Sequence, residues 1–324
     1  MTHKINIIII GCGNIGSRHL ESILNLDLKI DVIVVEKNKK IINNIKKQKN
    51  FFNNKKIKIF FYEDIINFNL DFYFGIISTN SNDRLKCTKR LLKYNNVKNL
   101  LLEKLLAPNI NQLNALKEYL KNKSLNVYVN TPRRQMKVYK EIKKQLNLKN
   151  PINIEYKGNQ WNFASNAIHF IDLFSYLAND YNIKCLSLRL SNKLSSKRNK
   201  YSEFLGYSYF ANNSKGTLFL SDSIEHQDIS SNILKIDNLK YSFVVDENLG
   251  YYLKINNDLD KIITKRNFKF ELQSQITEKY IKNLKKGKKL ELTDFKESYL
   301  QHNIFYKKLF YQAQKNRYKN IKIS

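Results

Sequence analysis

The chain has 324 residues, of which 42% are hydrophobic and 12% aromatic, too much buriable surface for a disordered protein. Its longest apolar runs, such as Ile7–Ile10, fall far short of the ~20 residues that cross a bilayer. No secretory apolar stretch follows Met1, so a cytoplasmic protein without a membrane anchor is expected. The formal charge of +29 suggests an anionic partner, but 48 of the 57 basic residues are Lys and 44 residues are Asn, the amino acids of A/T-rich codons. The pairs Lys39-Lys40, Lys46-Lys47, Lys285-Lys286 and Lys288-Lys289 fall on exposed helix faces or a turn, so no nucleic-acid partner is expected.

The first 130 residues alternate short apolar runs with helix-period stretches, the pattern of a parallel sheet with crossover helices. Strands are predicted at 4–10, 30–35, 57–62, 72–77, 98–102 and 125–129, and helices at 14–25, 38–49, 81–94 and 109–121. Gly11-Cys12-Gly13-Asn14-Ile15-Gly16 stands directly after the first strand and opens the first helix. In this G-x-G-x-x-G pattern Gly11 permits the tight turn, Gly13 lets the backbone approach a pyrophosphate, and Gly16 allows close helix–sheet packing. The helix N-terminus, with Asn14 and Ile15 in its first turn, offers N–H groups to phosphates. Glu36 closes the second strand, where an acidic side chain binds both adenosine ribose hydroxyls and repels a 2′-phosphate. NAD is therefore the expected cofactor, although Lys37, Lys39 and Lys40 leave NADP open, and Glu36 also fits a plain helix-cap role. Ser78, Thr79 and Asn80 follow the fourth strand and are expected to contact the cofactor's ribose or phosphate.

After Val129 the pattern changes. Thr131-Pro132 starts a basic helix to about Leu146, Pro151 starts a strand, and 166–178 reads as a helix. Runs of β-type residues follow at 184–190, 205–211, 216–221, 232–237, 240–246 and 250–255. Tight turns such as 212–216 make these largely antiparallel. Helices near 273–285 and 293–315 end the chain. The expected fold is thus an N-terminal Rossmann doubly wound parallel sheet (1–130) and a C-terminal domain (131–324) of largely antiparallel sheet covered by helices. Cys12, Cys87 and Cys185 are dispersed, and His3, His19, His169, His226 and His302 show no ligand spacing, so neither disulfides nor a metal are expected.

Five blocks stand in order: 11–19, Ile-Ser-Thr-Asn-Ser-Asn-Asp-Arg at 77–84, Leu-Glu-Lys-Leu-Leu-Ala at 102–107, Asn-Thr-Pro-Arg-Arg at 130–134, and His-Phe-Ile-Asp-Leu at 169–173. With them the chain resembles the glucose–fructose oxidoreductase/inositol dehydrogenase/MocA (Gfo/Idh/MocA) family. The resemblance implies an NAD(P)-dependent enzyme interconverting a secondary alcohol and a ketone on a sugar-like substrate, such as a nucleotide-linked or acidic sugar. Glu103-Lys104 resembles the family's Glu-Lys-Pro motif, which implies cofactor contact for both and catalysis by Lys104, whose ammonium stabilises charge on the substrate oxygen. Leu105 replaces the family's proline. His169 matches the family's histidine, implying a proton acceptor, with Asp172 one turn on to orient it. Ser165 stands where many members have an aspartate, and a structural role for His169 stays open. Arg133, and Arg134 beside it, suit an anionic substrate group. Asn166 and Trp161 flank the expected pocket wall, Trp161 as either a sugar platform or a core residue. The departures at 105 and 165 motivate an alternative, a catalytically inactive dinucleotide-binding sensor or regulatory subunit. A homo-oligomer is expected from the breadth of the second sheet.

Overall fold

The computed structural model describes residues 4–48, 51, 53–195, 200–224 and 232–324; His3 and His226 lie outside these. The chain divides into two compact units: Met1–Ala107 with Asn111–Asn130 and Glu271–Phe295, and Pro108–Ile110 with Thr131–Phe270 and Lys296–Ser324. Among the described residues no helix is long and apolar enough to cross a membrane.

The first unit runs β1 (Ile5–Ile10), α1 (Asn14–Leu24), β2 (Ile30–Val35), α2 (Lys39–Lys46), β3 (Ile57–Tyr62), β4 (Asp71–Ile77), α3 (Ser81–Tyr94), β5 (Asn96–Leu102), α4 (Ile110–Leu120) and β6 (Asn126–Val129). From further along the chain it adds α7 (Gln273–Lys285) and β15 (Thr293–Asp294). The sheet order is β15-β6-β5-β4-β1-β2-β3, parallel except for β15 against β6. Central strands such as INIIII and IDVIVV are buried almost throughout, as a sheet covered on both faces requires, whereas edge strand β3 alternates. Strand order reverses between β1 and β4, which opens a crevice at their carboxyl ends.

Helix α1 buries Gly16, His19, Leu20 and Ile23, an i, i+3, i+4, i+7 stripe. Helix α7 buries Ile276, Thr277, Tyr280 and Ile281, and docks on α1, where the Glu278 N–H donates to Ser22 Oγ at 2.9 Å. Residues 271–295 therefore pack with the first unit, whereas the sequence reading gave all of 131–324 to the second domain. That reading was built on local periodicity, which shows that α7 has an apolar face and not what covers it.

The second unit begins with a 3₁₀ turn, Pro132–Gln135, followed by α5 (Lys137–Gln145), β7 (Asn153–Gly158), α6 (Phe163–Ala178), β8 (Ile183–Ser195), β9 (Ser202–Asn212) and β10 (Thr217–Asp222). It continues through β11 (Ile233–Asn238), β12 (Tyr241–Asp246), β13 (Tyr251–Asn256), β14 (Lys261–Asn267) and α8 (Phe295–Lys315). The sheet order is β14-β13-β12-β11-β7-β10-β9-β8, antiparallel except for the β7–β10 pair. The helix expected from 131 to 146 is interrupted at Met136, whose backbone is extended (φ −69°, ψ 138°). Strand β14 was not expected, because nearly all its residues are exposed and no buried face marks it.

Helix α6 is buried on almost every side, and its N-terminus is met by two buried carboxylates. The Phe163 N–H donates to Asp222 Oδ2 (3.2 Å) and the Ala164 N–H to Glu203 Oε2 (3.0 Å). Both satisfy N–H groups that the helix cannot pair internally and place negative charge at the positive end of its dipole. The helix carrying His169 is thereby fixed from β9 and β10.

Candidate functional site

A cavity of about 260 Å³ lies at the carboxyl ends of β1, β2 and β4, lined among others by Gly11, Gly13, Glu36, Ser78, Thr79 and Asn80. Gly11 has φ +83°, a conformation that side chains disfavour, and a Cβ there would lie 3.0 Å from Thr79 N. At Gly16 a Cβ would lie 2.0 Å from the Gly11 carbonyl oxygen, so only glycine lets α1 come this close. Gly13 differs: a Cβ added there meets nothing within 4 Å. Packing does not require glycine at 13, and its bareness keeps open the space in front of α1's first turn.

The loop is held from two sides. Ser78 Oγ donates to the Gly11 carbonyl at 2.6 Å, and Glu36 Oε2 accepts from the Cys12 N–H at 2.7 Å, while its Oε1 accepts from the Asn38 N–H at 2.9 Å. Burial, and then the nearby Glu36 charge, push the Cys12 thiol up to about 12, so Cys12 is a packing residue. Asn80 caps α3, its Oδ1 accepting from the Asp83 N–H at 3.2 Å. Thr79 Oγ1 is buried with no hydrogen-bond partner among the described residues. A buried hydroxyl on a cavity wall that lacks a protein partner suits a bound polar ligand. Asn14 and Ile15 are exposed in the first turn of α1.

These features fit a dinucleotide. The first-turn N–H groups of α1 and the bare Gly13 would hold a pyrophosphate, Glu36 a ribose, and Thr79 a further polar group. NAD, when bound, supplies the redox chemistry at the substrate carbon. The cavity takes in Lys37, named above beside Glu36, and also Asp64, Asp83, Lys86, Cys87 and Arg90, which the sequence reading does not assign to the site. Arg90 pairs with Asp64 at 2.6 Å.

Lys104 is half-buried two residues beyond the end of β5, and its peptide bond to Leu105 is cis. Glu103, expected at the cofactor, turns into the protein instead. It is 7% exposed, and its Oε1 lies 2.9 Å from His19 Nε2 and accepts from Asn130 Nδ2 at 2.5 Å. Burial opposes its ionisation, but the bonds from His19 and Asn130 outweigh this and hold its carboxyl below the usual range. The sequence reading assigns His19 no role. The available signal was its place on α1's buried stripe, since a fully buried polar side chain must find partners.

In the second unit the structure gives several candidate residues other partners. Asp172, proposed to orient His169, is fully buried and gripped by Arg134, with Nε 3.0 Å from Oδ2 and Nη2 2.6 Å from Oδ1. Arg133, expected at an anionic substrate, makes the same fork on Glu247, Nε to Oε1 at 2.8 Å and Nη2 to Oε2 at 2.7 Å. Its guanidinium lies 4.4 Å from the Phe170 ring centroid. Burial works against the charged form, and Glu247 outweighs it, holding Arg133 above its ordinary range. Trp161 is a core residue rather than a platform. It is 6% exposed, donates from Nε1 to the Ser221 carbonyl at 2.9 Å, and packs edge-on against Tyr156, Phe163 and Phe170. Asn166 Nδ2 donates to the Trp161 carbonyl at 2.7 Å, closing the turn into α6. His169 is half-buried on α6, and Ser165 Oγ donates to the Asn162 carbonyl at 3.3 Å.

Residues 5–131 match the family model for the Gfo/Idh/MocA oxidoreductase family, NAD-binding Rossmann fold. No curated protein matches the chain. Solved structures share the fold across the chain at low identity. A dehydrogenase (MviM) from Clostridium difficile is 18% identical with a TM-score of 0.66, over 95% of this chain and 99% of that one. The scyllo-inositol dehydrogenase of Lactobacillus casei, with bound NAD(H) and scyllo-inositol, is 14% identical with a TM-score of 0.67, over 97% and 98%. A super-repressor mutant of Gal80p from Saccharomyces cerevisiae is 13% identical with a TM-score of 0.73, over 97% of both chains. With the glycine turn, the strand-end acid and the bare cradle in place, residues 5–131 are the NAD-binding Rossmann domain of the Gfo/Idh/MocA oxidoreductase family.

Proposed function

We propose that the chain is an NAD-dependent dehydrogenase or reductase acting on a secondary alcohol or ketone of a sugar- or polyol-like substrate. The observation that carries this reading is the cavity at the β1, β2 and β4 ends, with its open Gly13 cradle and the buried Thr79 hydroxyl. Likeness to a polyol dehydrogenase, scyllo-inositol dehydrogenase, supports the substrate class. In this reading Lys104 donates a hydrogen bond to the substrate oxygen and stabilises its developing charge, and a ring nitrogen of His169 accepts the hydroxyl proton in the oxidative direction. The second unit supplies substrate contacts and self-association.

The test is turnover with NAD⁺ or NADH against polyols, free sugars, sugar acids and nucleotide-linked sugars, followed by nicotinamide absorbance. Lys104→Ala and His169→Ala should each abolish turnover of the substrate found while retaining NADH binding, and full activity in both variants would refute the assignment.

Likeness to Gal80p, a transcriptional regulator by its description, favours a second reading: a dinucleotide-binding regulatory protein without turnover. Saturable NADH binding with no turnover across the panel would favour it. Light scattering of the purified chain decides whether it self-associates.

A further inference from the structure

Six side chains that neither the cofactor cavity nor the proposed chemistry uses meet in one buried cluster of the first unit. They come from α1 (His19), the residue after β5 (Glu103), the residue after β6 (Asn130), and α7 (Gln273, Thr277, Tyr280). His19 is fully buried, with Nδ1 2.7 Å from Thr277 Oγ1 and Nε2 2.9 Å from Glu103 Oε1. Asn130 Nδ2 donates to Glu103 Oε1 (2.5 Å) and to Gln273 Oε1 (2.8 Å). Gln273 Nε2 donates to Thr277 Oγ1 at 2.9 Å, and the Tyr280 hydroxyl donates to Asn130 Oδ1 at 3.3 Å.

The donors and acceptors fix the sense of the cluster. An ionised carboxylate only accepts, so the proton of the His19–Glu103 bond sits on Nε2. Thr277 Oγ1 accepts from Gln273 Nε2 at 2.9 Å and lies 2.7 Å from His19 Nδ1, holding the other side of the ring. His19 Nε2 is then the donor to Glu103, an assignment inferred from its partners, and Nδ1 faces the Thr277 hydroxyl. A buried cluster satisfied in this way has a single arrangement, and losing one member leaves the others unpaired in a low-dielectric interior.

Glu103 is joined to Lys104, and the Glu103 N–H still donates to the Ile77 carbonyl at 3.1 Å, extending the β4–β5 ladder by one residue. Lys104 follows Glu103 directly, so fixing the Glu103 carboxylate inside the unit and its N–H on Ile77 fixes the backbone from which the Lys104 side chain departs. His19 lies on the helix whose first turn forms the cofactor cradle, one turn beyond Gly16.

We infer that His19 is a positioning residue: through Glu103 it locks the turn bearing Lys104 to the cofactor-binding helix, and Thr277 of α7 holds its other ring nitrogen. This deepens the dehydrogenase reading and rests on Lys104 being catalytic.

The test compares His19→Ala, His19→Gln and Lys104→Ala for NADH affinity, bound-NADH emission and turnover of the substrate found in the panel. His19→Ala should lower kcat about tenfold or more while NADH affinity stays within about threefold, because the cradle itself is untouched. His19→Gln, whose amide nitrogen can still donate to Glu103, should recover most of kcat, a rescue that loss of packing alone does not give. Without a substrate, His19→Ala should shift bound-NADH emission in the same direction as Lys104→Ala, and His19→Gln should not. If His19→Ala does not fold, Thr277→Val, which removes only the hydroxyl at Nδ1, is read in the same way. Wild-type kcat and emission in a folded His19→Ala or Thr277→Val, beside an impaired Lys104→Ala, overturn the positioning role alone. Full activity and unchanged emission in Lys104→Ala overturn the dehydrogenase assignment of Lys104 and the positioning role with it.

Discussion

Arg134 closes a fork on Asp172, with Nε 3.0 Å from Oδ2 and Nη2 2.6 Å from Oδ1, and both side chains are almost completely buried. Gln301 Nε2 adds a longer contact to Oδ1 at 3.5 Å. The pair ties the 3₁₀ turn at Pro132–Gln135 to the middle of α6. A carboxylate gripped in this way holds the helix. Removing one member strands a buried charge, so Asp172→Ala should lose about 3–5 kcal/mol of stability. Thermal unfolding beside kinetics checks this: the milder Asp172→Asn should lower Tm and keep kcat within about threefold of wild type.

Arg133 makes the same distinction measurable for substrate binding. Its fork is filled by Glu247 and its plane lies over Phe170, so an anionic substrate would have to break a buried pair to reach it. Arg133→Lys keeps the charge and loses the fork and the stacking. The expected result is a lower Tm with little change in KM; a KM rise of about tenfold or more at unchanged Tm would return Arg133 to the substrate.

Glu36 holds the glycine loop through the Cys12 N–H and caps the following turn through the Asn38 N–H. Glu36→Gln removes the charge and leaves only one acceptor oxygen. Hydrogen bonds to charged groups contribute about 1.5–3 kcal/mol, so NADH affinity should fall about tenfold or more. NADPH affinity should rise relative to NADH, since the charge that repels a 2′-phosphate is gone and Lys37 remains on the cavity wall. Parallel titrations with the two reduced cofactors measure the ratio.

Burial raises the Asp222 carboxyl to about 6 from 3.8, outweighing the backbone N–H groups of Phe163, Gln160, Trp161 and Asn162 that favour its charged form. The folded pKa lies above the unfolded one, so this group's contribution to stability is fully present below about 4 and is lost as pH rises through about 6. Glu103 acts in the opposite direction. Its folded pKa is lowered, so its contribution is present above 4.5 and is lost as pH falls through the folded value. Asp222→Asn keeps an acceptor for α6 and cannot ionise. Relative to wild type, its Tm should therefore gain more at pH 8 than at pH 4, as scans at the two pH values would record.

The parallel sheet was legible because runs such as Ile7–Ile10 and Val32–Val35 are apolar without alternation, and the cofactor turn because its glycines sit between a strand and a helix. Roles set by distant partners were not legible. Arg133 finds Glu247 and Arg134 finds Asp172 across 114 and 38 residues, and the sequence shows only that each group exists. His19 reaches Thr277 across 258 residues, through a helix that returns to the first unit from near the chain's end. Trp161 was ambiguous for a related reason: an aromatic ring suits a core as well as a sugar, and only the Nε1 bond to Ser221 and its ring neighbours decide.

Gly13 separates cofactor binding from folding, because a Cβ added there meets no protein atom within 4 Å and points into the space assigned to the pyrophosphate. Gly13→Val weakens the cap of α1 by about 1 kcal/mol at most and leaves the fold standing. Fluorescence titration with NADH of wild type and Gly13→Val is the most direct test. Saturable binding by wild type, weakened about tenfold or more in a folded Gly13→Val, is the expected result. No saturable binding by wild type, or equal affinity in both proteins, would contradict a dinucleotide site in this cradle.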